Sequence, residues 1–539
     1  MNSESMSLKQ QIGQLLMFGF QGYEVPPSLQ SMIEKQELGG VIYFARNVQT
    51  VEQVARLSGQ LQQLASEAGA PPLWISVDQE GGMVARLTEG VTLFPGQMAL
   101  AATGDPQSAY DAGYITGSEL KALGINFNFA PVLDVNNNPA NPVIGVRSFG
   151  ERPEQVARFG VSLIQGLQDA GIAATAKHFP GHGDTDTDSH LGLPTISHAR
   201  ERIESVELVP FRAAVAGGVD VIMSSHIVFP EYEPNGLPAT LSRALLTDLL
   251  RHEIGYEGVI VTDCMEMDAI AKHFGTAEAA VMALEAGADL ILVSHTLELQ
   301  QAAFQAIVQA VETGRLSAER IRESVDRVLA LKAKRLSPVA KEGGPASVLP
   351  IRQVGCAEYQ QKARKWSEAS ITVVKDSQGL LPLAELSTLV LSLSPEVSTI
   401  ADESYSSEEM TLGRALREQG LKVVEEQIRL ADVSRLTAEL EARAEGFPQV
   451  IVATYNACFD PAQAELVRSL LRKELKVIVV ATRNPYDVQS IPELSTCLLT
   501  YETRPLAMAS AARVMTGKLR ANGRCPVTLE HGGNEGGER

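Results

Sequence analysis

The sequence predicts an α/β protein in two units, a (β/α)8 barrel followed by a smaller αβα sandwich. Three observations predict it. Up to about residue 335, short apolar runs alternate with longer amphipathic ones. Eight such runs occur: QLLMFGF, GGVIYF, LWISVDQ, INFNFAPVLDV, IAATAKHF, VDVIMSSHIV, GVIVTDC and DLILVSH. The composition then breaks at a Pro-, Gly- and Ser-rich stretch, SPVAKEGGPASVLP, and a second alternation of strands and helices follows.

Most of the eight runs are too apolar to be half-exposed, as expected of parallel strands covered on both faces. Helical patterns fall between them, for example TVEQVARLSGQLQQLASEAG and PEQVARFGVSLIQGLQDAG. The latter ends on glycine, a preferred helix C-terminus. Eight βα units over residues 1–337 read as a barrel. Residues 338–361 read as a linker. Residues 362–530 carry strand candidates that include SITVVKD, LSTLVLSLS, QVIVATY, LKVIVVAT and STCLLTY. Helical stretches such as DPAQAELVRSLLRKE separate them, which predicts the sandwich. The tail 531–539, HGGNEGGER, reads as disordered.

Composition narrows the function. With 45% apolar and 21% charged residues in 539, the chain reads as an ordinary globular protein. A net charge of −19 argues against nucleic acid as a partner, because phosphate contacts need clustered Lys and Arg. No apolar run approaches the ~20 residues of a membrane span. The start, MNSESMSLKQ, is polar and lacks the basic and apolar regions of a signal peptide. The expectation is a cytoplasmic protein, an exported form staying open if a leader has been removed. Five dispersed cysteines with no Cys-x-x-Cys pair fit a reducing compartment.

In a barrel, chemistry sits at the C-terminal ends of the strands. Strand three ends in Asp78, and strand four leads to Asp134 and then Arg147. Strand five ends in Lys177 and His178, strand six in His226, strand seven in Asp263 and strand eight in His295. One Asp after a strand can be a helix cap, and one His a structural residue. Six consecutive strands delivering such groups to one rim point to a functional face.

The richest segment is KHFPGHGDTDTDSHLGLP, Lys177 to Pro194. A calcium loop would alternate Asp as DTDTDSH does. However, Ser189 stands where that loop needs glycine, and Thr195 where it needs glutamate. A zinc site could use His178, His182 and His190, but MFGFQGY lacks the His-x-His pair that barrel metal hydrolases share. No metal and no cofactor are expected. For acid–base chemistry, Asp188 and His190 at i, i+2 in an extended segment fall on one side. The carboxylate would fix the imidazole tautomer and stabilise its protonated form. The alternative is a turn capped by Asp188 beside a solvated His190, and spacing alone does not separate the two. Gly181 and Gly183 fit a tightly turned or mobile loop.

That segment, with DQEGGMVARL (78–87), IGVRSFG (144–150) and VIVTDCMEMDAI (259–270), strongly resembles the β-N-acetylglucosaminidases of glycoside hydrolase family 3. Four motifs in order cover most of the barrel. The second unit resembles, more loosely, the αβα domain of two-domain members, best in ASITVVKDSQGLLPL and ATRNPYDV. The resemblance implies Asp263 as nucleophile, His190 as general acid/base and Asp188 as its dyad partner. It implies Asp78, Arg86, Arg147, Lys177 and His178 as sugar-binding residues. One departure is Gly-Gly-Met where many members have Gly-Gly-Arg.

The implied reaction is a retaining removal of terminal N-acetylglucosamine from cell-wall fragments, with chitin fragments as the alternative. The partner is thus a small glycan, and the oligomeric state is left open. Other readings of the same residues are phosphorolysis, a metal-dependent hydrolase using the His/Asp loop, and a sugar-binding protein without catalysis.

Overall fold

Burial on both faces keeps the first eight strands short and apolar. They are β1 (Leu16–Gly19), β2 (Gly40–Tyr43), β3 (Trp74–Val77), β4 (Phe127–Asn128), β5 (Ala173–Phe179), β6 (Val221–Ser224), β7 (Val259–Cys264) and β8 (Leu290–Val293). Every residue in them is buried except the last two of β7, which are half-buried. In the computed structural model, which describes residues 3–336, 349–394 and 411–529, these strands close into a barrel. The order around it is β1-β8-β7-β6-β5-β4-β3-β2, with every pairing parallel. The expected (β/α)8 barrel is therefore the observed one.

Parallel neighbours need a crossover, and amphipathic helices supply it. The helix Val51–Glu67 starts where the Thr50 hydroxyl accepts the Gln53 amide. The helix Pro153–Asp169 starts on proline, whose fixed φ suits the first turn. It is released into β5 through Gly171 at φ +93°, a conformation that favours glycine. Because all strands point one way, Asp78, Lys177, His178 and Asp263 arrive at one rim.

The second unit is a six-stranded sheet. Its strands are β9 (Thr372–Asp376), β10 (Thr388–Ser394), β11 (Val423–Arg429), β12 (Gln449–Thr454), β13 (Val477–Ala481) and β14 (Thr496–Leu499). The order is β9-β14-β13-β12-β10-β11, parallel except for β9 against β14. Alternation along β12 serves two cores. Val450 and Val452 face one helical layer, and Ile451 and Ala453 face the other. That is the expected sandwich. The strand β11 lay outside the sequence reading.

The two units share buried surface. Met83, Met98, Ala99, Ala102 and Val146 of the barrel belong to an apolar cluster built mainly by the sandwich. The helix Ala357–Ser370 begins inside the stretch read as linker. It places Ala363 and Trp366 in the barrel core, with Trp366 Nε1 donating to Asp111 at 3.0 Å. The remainder of that stretch up to residue 348, and the tail 531–539, lie outside the described residues.

Candidate active site

Five charged side chains make one wall of the rim. Lys177 Nζ lies 2.8 Å from Asp78 Oδ1 and 2.7 Å from Glu80 Oε1. Arg147 forks onto Glu80, its Nε donating to Oε2 at 2.9 Å and its Nη2 to Oε1 at 2.8 Å. Arg86 Nη2 approaches Asp78 Oδ2 at 3.7 Å. Burial pushes the Glu80 carboxyl up, but Arg147 and Lys177 overcome it and hold Glu80 far below the usual range. Glu80 is thus consumed in binding the two cations. Asp78 keeps a more open flank, with 17% of its side chain accessible against 2% for Glu80. Asp78, Lys177 and the arginines can therefore present charge-assisted hydrogen bonds to sugar hydroxyls.

Buried Asp134 organises the next segment. Its Oδ1 accepts the amides of His178 and His182 at 3.1 and 2.7 Å, and its Oδ2 lies 2.7 Å from His178 Nδ1. Burial opposes ionisation of Asp134, but the His178 contacts draw its pKa below the usual value. An ionised carboxylate there keeps a proton on His178 Nδ1 and fixes the orientation of the ring.

The His/Asp loop is folded back on itself. Gly183 is obligatory, since a Cβ there would lie 1.7 Å from the Val135 carbonyl oxygen. Buried His182 contacts Thr185 Oγ1 through Nδ1 and Ser189 Oγ through Nε2, both at 2.9 Å. Asn141 Nδ2 donates to the His182 carbonyl at 2.8 Å and the Gly183 carbonyl at 3.0 Å. These contacts set Ser189, and Ser189 separates the two dyad residues. His190 Nδ1 lies 2.8 Å from Asp188 Oδ1. Burial pushes Asp188 up, but hydrogen bonds from His190 pull it down further. An ionised Asp188 places the imidazole proton on Nδ1, so Nε2 is the atom available for proton transfer.

Asp263 stands at the end of β7, where its Oδ1 accepts the Cys264 amide at 2.7 Å. Burial alone would raise its pKa. The neighbouring imidazoles of His226, His178 and His190, with the Cys264 amide, outweigh burial and hold it at about 2. His226 is buried beside it, and its Nε2 donates to the Cys264 carbonyl at 3.0 Å. A carboxylate kept ionised at physiological pH, with its flank on the cavity, can act as a nucleophile.

These groups enclose one cavity of about 610 Å3. Asp78, Arg86, Arg147, Lys177, His178, His190 and Asp263 all line it. Asp188 stands behind His190. The sequence reading passed over Glu80, two residues after Asp78 within DQEGG. It also passed over Arg46, Glu266 and Asp268, which line the outer wall with His295. There Phe44 is flanked by the Arg46 guanidinium at 4.2 Å and the His295 ring at 5.0 Å. The three loop histidines are each committed to separate oxygen partners. Among the described residues no group of three or more His, Cys, Asp or Glu could hold a metal ion.

Comparison with known proteins fits this arrangement. Residues 7–331 match the model of the glycosyl hydrolase family 3 N-terminal domain. The chain belongs to glycosyl hydrolase family 3. A solved family 3 β-N-acetylglucosaminidase from Paenibacillus sp. str. FPU-7 is 48% identical to this hydrolase, with a TM-score of 0.91. That match covers 98% of this chain and 100% of the other. The β-hexosaminidase A of Pseudoalteromonas piscicida is 31% identical over 98% of both chains. A β-hexosaminidase of Alkalilimnicola ehrlichii is 40% identical over 52% of this chain and 80% of its own length. The family 3 assignment covers the barrel, and the two full-length matches extend through the sandwich.

Proposed function

We propose that this family 3 hydrolase is a retaining exo-β-N-acetylglucosaminidase. The observation that carries the reading is one cavity lined by both an ionised Asp263 and a His190 tethered to Asp188. In the first step an Asp263 carboxylate oxygen bonds to the anomeric carbon as the bond to the leaving oxygen breaks. Protonated His190 gives its Nε2 proton to that oxygen. In the second step the neutral Nε2 takes a proton from water, the water oxygen bonds to the anomeric carbon, and the ester to Asp263 breaks. The usual retaining pair is two carboxylates. Imidazole can give a proton and then take one back at the same nitrogen, so one ring serves both steps.

The named activities of the relatives support N-acetylglucosamine as the sugar. The His/Asp loop, through its family resemblance, supports cell-wall fragments as the source. Five cysteines, none in a disulfide, support a reducing, cytoplasmic setting. The test is a panel of aryl glycosides assayed with and without phosphate. Release of free N-acetylglucosamine from the N-acetylglucosaminide, and little from the glucoside or xyloside, is the expected result. An imidazole acid/base repels an approaching anion less than a carboxylate would, which favours phosphorolysis as the second reading. N-acetylglucosamine 1-phosphate as the product would establish it.

A further inference from the structure

A hairpin of Gln79–Gly81 and Val84–Ala85, which carries Glu80 and directly follows Asp78, is gripped from behind by the sandwich. The connection after β14 runs Glu502-Thr503-Arg504, and both charged side chains are buried. Arg504 Nε donates to the Gly82 carbonyl at 2.7 Å, and Glu502 Oε2 accepts the Gly96 amide at 2.9 Å. Gly82 is two residues from Glu80 and has φ +57°. A Cβ there would lie 2.5 Å from Gly96 Cα and 2.9 Å from Glu502 Oε2, so the three parts meet with no free space. From Gly96 the path continues inward. Gln97 exchanges two hydrogen bonds with the backbone of Val132, at 2.8 and 2.9 Å, and Val132 bridges to Lys177. Tyr501 shares a narrow gap with Glu80 and Arg147. The sandwich therefore touches both supports of the sugar-binding ion cluster.

We propose that Glu502 and Arg504 are positioning residues, which fix the Asp78–Glu80–Lys177–Arg147 cluster through the backbone of Gly82 and Gly96. The inference rests on the glycosidase reading of the cavity. It gives the sandwich a role in recognition of the non-reducing sugar ring. A purely adhesive clamp would act differently. Losing it would lower stability and the active fraction, which changes apparent kcat and leaves KM alone. A positioning clamp sets ground-state and transition-state contacts alike, so losing it raises KM.

The experiment is steady-state kinetics of the full chain on an aryl N-acetylglucosaminide. Glu502→Ala and Arg504→Met should each raise KM about tenfold, with kcat within about threefold of wild type. Burial pushes the Glu502 carboxyl up to about 7 against the Gly96 amide and Arg504, so a neutral amide is a fair substitute. Glu502→Gln keeps an oxygen for the Gly96 amide and should restore KM to within about threefold of wild type. Unchanged KM in the Ala and Met variants overturns the proposal, whatever their melting temperatures. If neither variant folds, hydrogen exchange on the wild type decides. Saturating N-acetylglucosamine should slow amide exchange at Gly82 and Gly96, because coupling between sites is reciprocal. No change there overturns the proposal. A wild type that neither hydrolyses the glycoside nor binds the sugar would instead defeat the glycosidase reading itself.

Discussion

Asp188 holds His190 twice, because one carboxylate oxygen accepts the His190 amide at 2.8 Å and also lies 2.8 Å from the ring Nδ1. Backbone and ring are thereby locked to one charge, and the ring cannot turn without losing a contact. General acid–base groups contribute about 10²–10⁴ in rate. Asp188→Ala and His190→Ala should each lower kcat/KM by that order. The loss should grow as the aryl leaving group becomes a poorer one, since only poor leaving groups need the proton. Parallel leaving-group plots for wild type and variants would refute the assignment.

Asp263→Gly should reduce turnover by at least about 10⁴, the scale seen when a nucleophile is removed. Azide should restore part of the rate by filling the vacated space and attacking from the same side. The product would then be a glycosyl azide of inverted configuration, read by NMR. Near-normal turnover in this variant would remove Asp263 from the mechanism.

Glu80 neutralises two buried cations. Removing one partner of a buried ionic group costs about 3–5 kcal/mol, because the remaining charge stays covered. Glu80→Gln should therefore shift the barrel's unfolding transition to lower temperature in calorimetry. A melting profile equal to wild type would mean that Lys177 and Arg147 do not depend on it.

His182 gives a pH prediction. Burial drives its pKa down to about 4, more strongly than Asp134 raises it. An unfolded imidazole takes a proton near 6.5. Between those two values the unfolded chain binds one proton more than the folded one, so stability falls as pH falls. Its contribution is fully present above about 6.5 and drops by up to about 3 kcal/mol towards pH 4. Melting temperatures of wild type and His182→Gln should converge on acidification through this window. Divergence in acid would show the wrong sign for the buried ring.

The barrel was legible because parallel strands covered on both faces leave unbroken apolar runs. The same logic explains what escaped. The edge strand β11 buries only Ile428 fully and carries Glu425, Glu426 and Arg429, so no apolar run marks it. β4 pairs over only Phe127 and Asn128 within an eleven-residue apolar stretch, and periodicity does not say where pairing stops. Glu80 looked like one more acid beside Asp78. Only the fold shows which of the two is covered by cations. The grip of Glu502 on Gly96 joins positions 406 residues apart, and no local pattern announces it.

Glu80, Lys177, His178 and Asp263 stand on barrel strands or on the hairpin that follows β3, whereas His190, the proposed proton donor, rides on a short segment fastened at Gly183 and His182. The two halves of the proposed chemistry thus sit on separate pieces of chain. Under the proposed assignment, variation at an exposed position beside the pair, such as Leu191, would retune which alcohols depart while the groups on the strands stay as they are, and this gives selection or an engineer a separate dial.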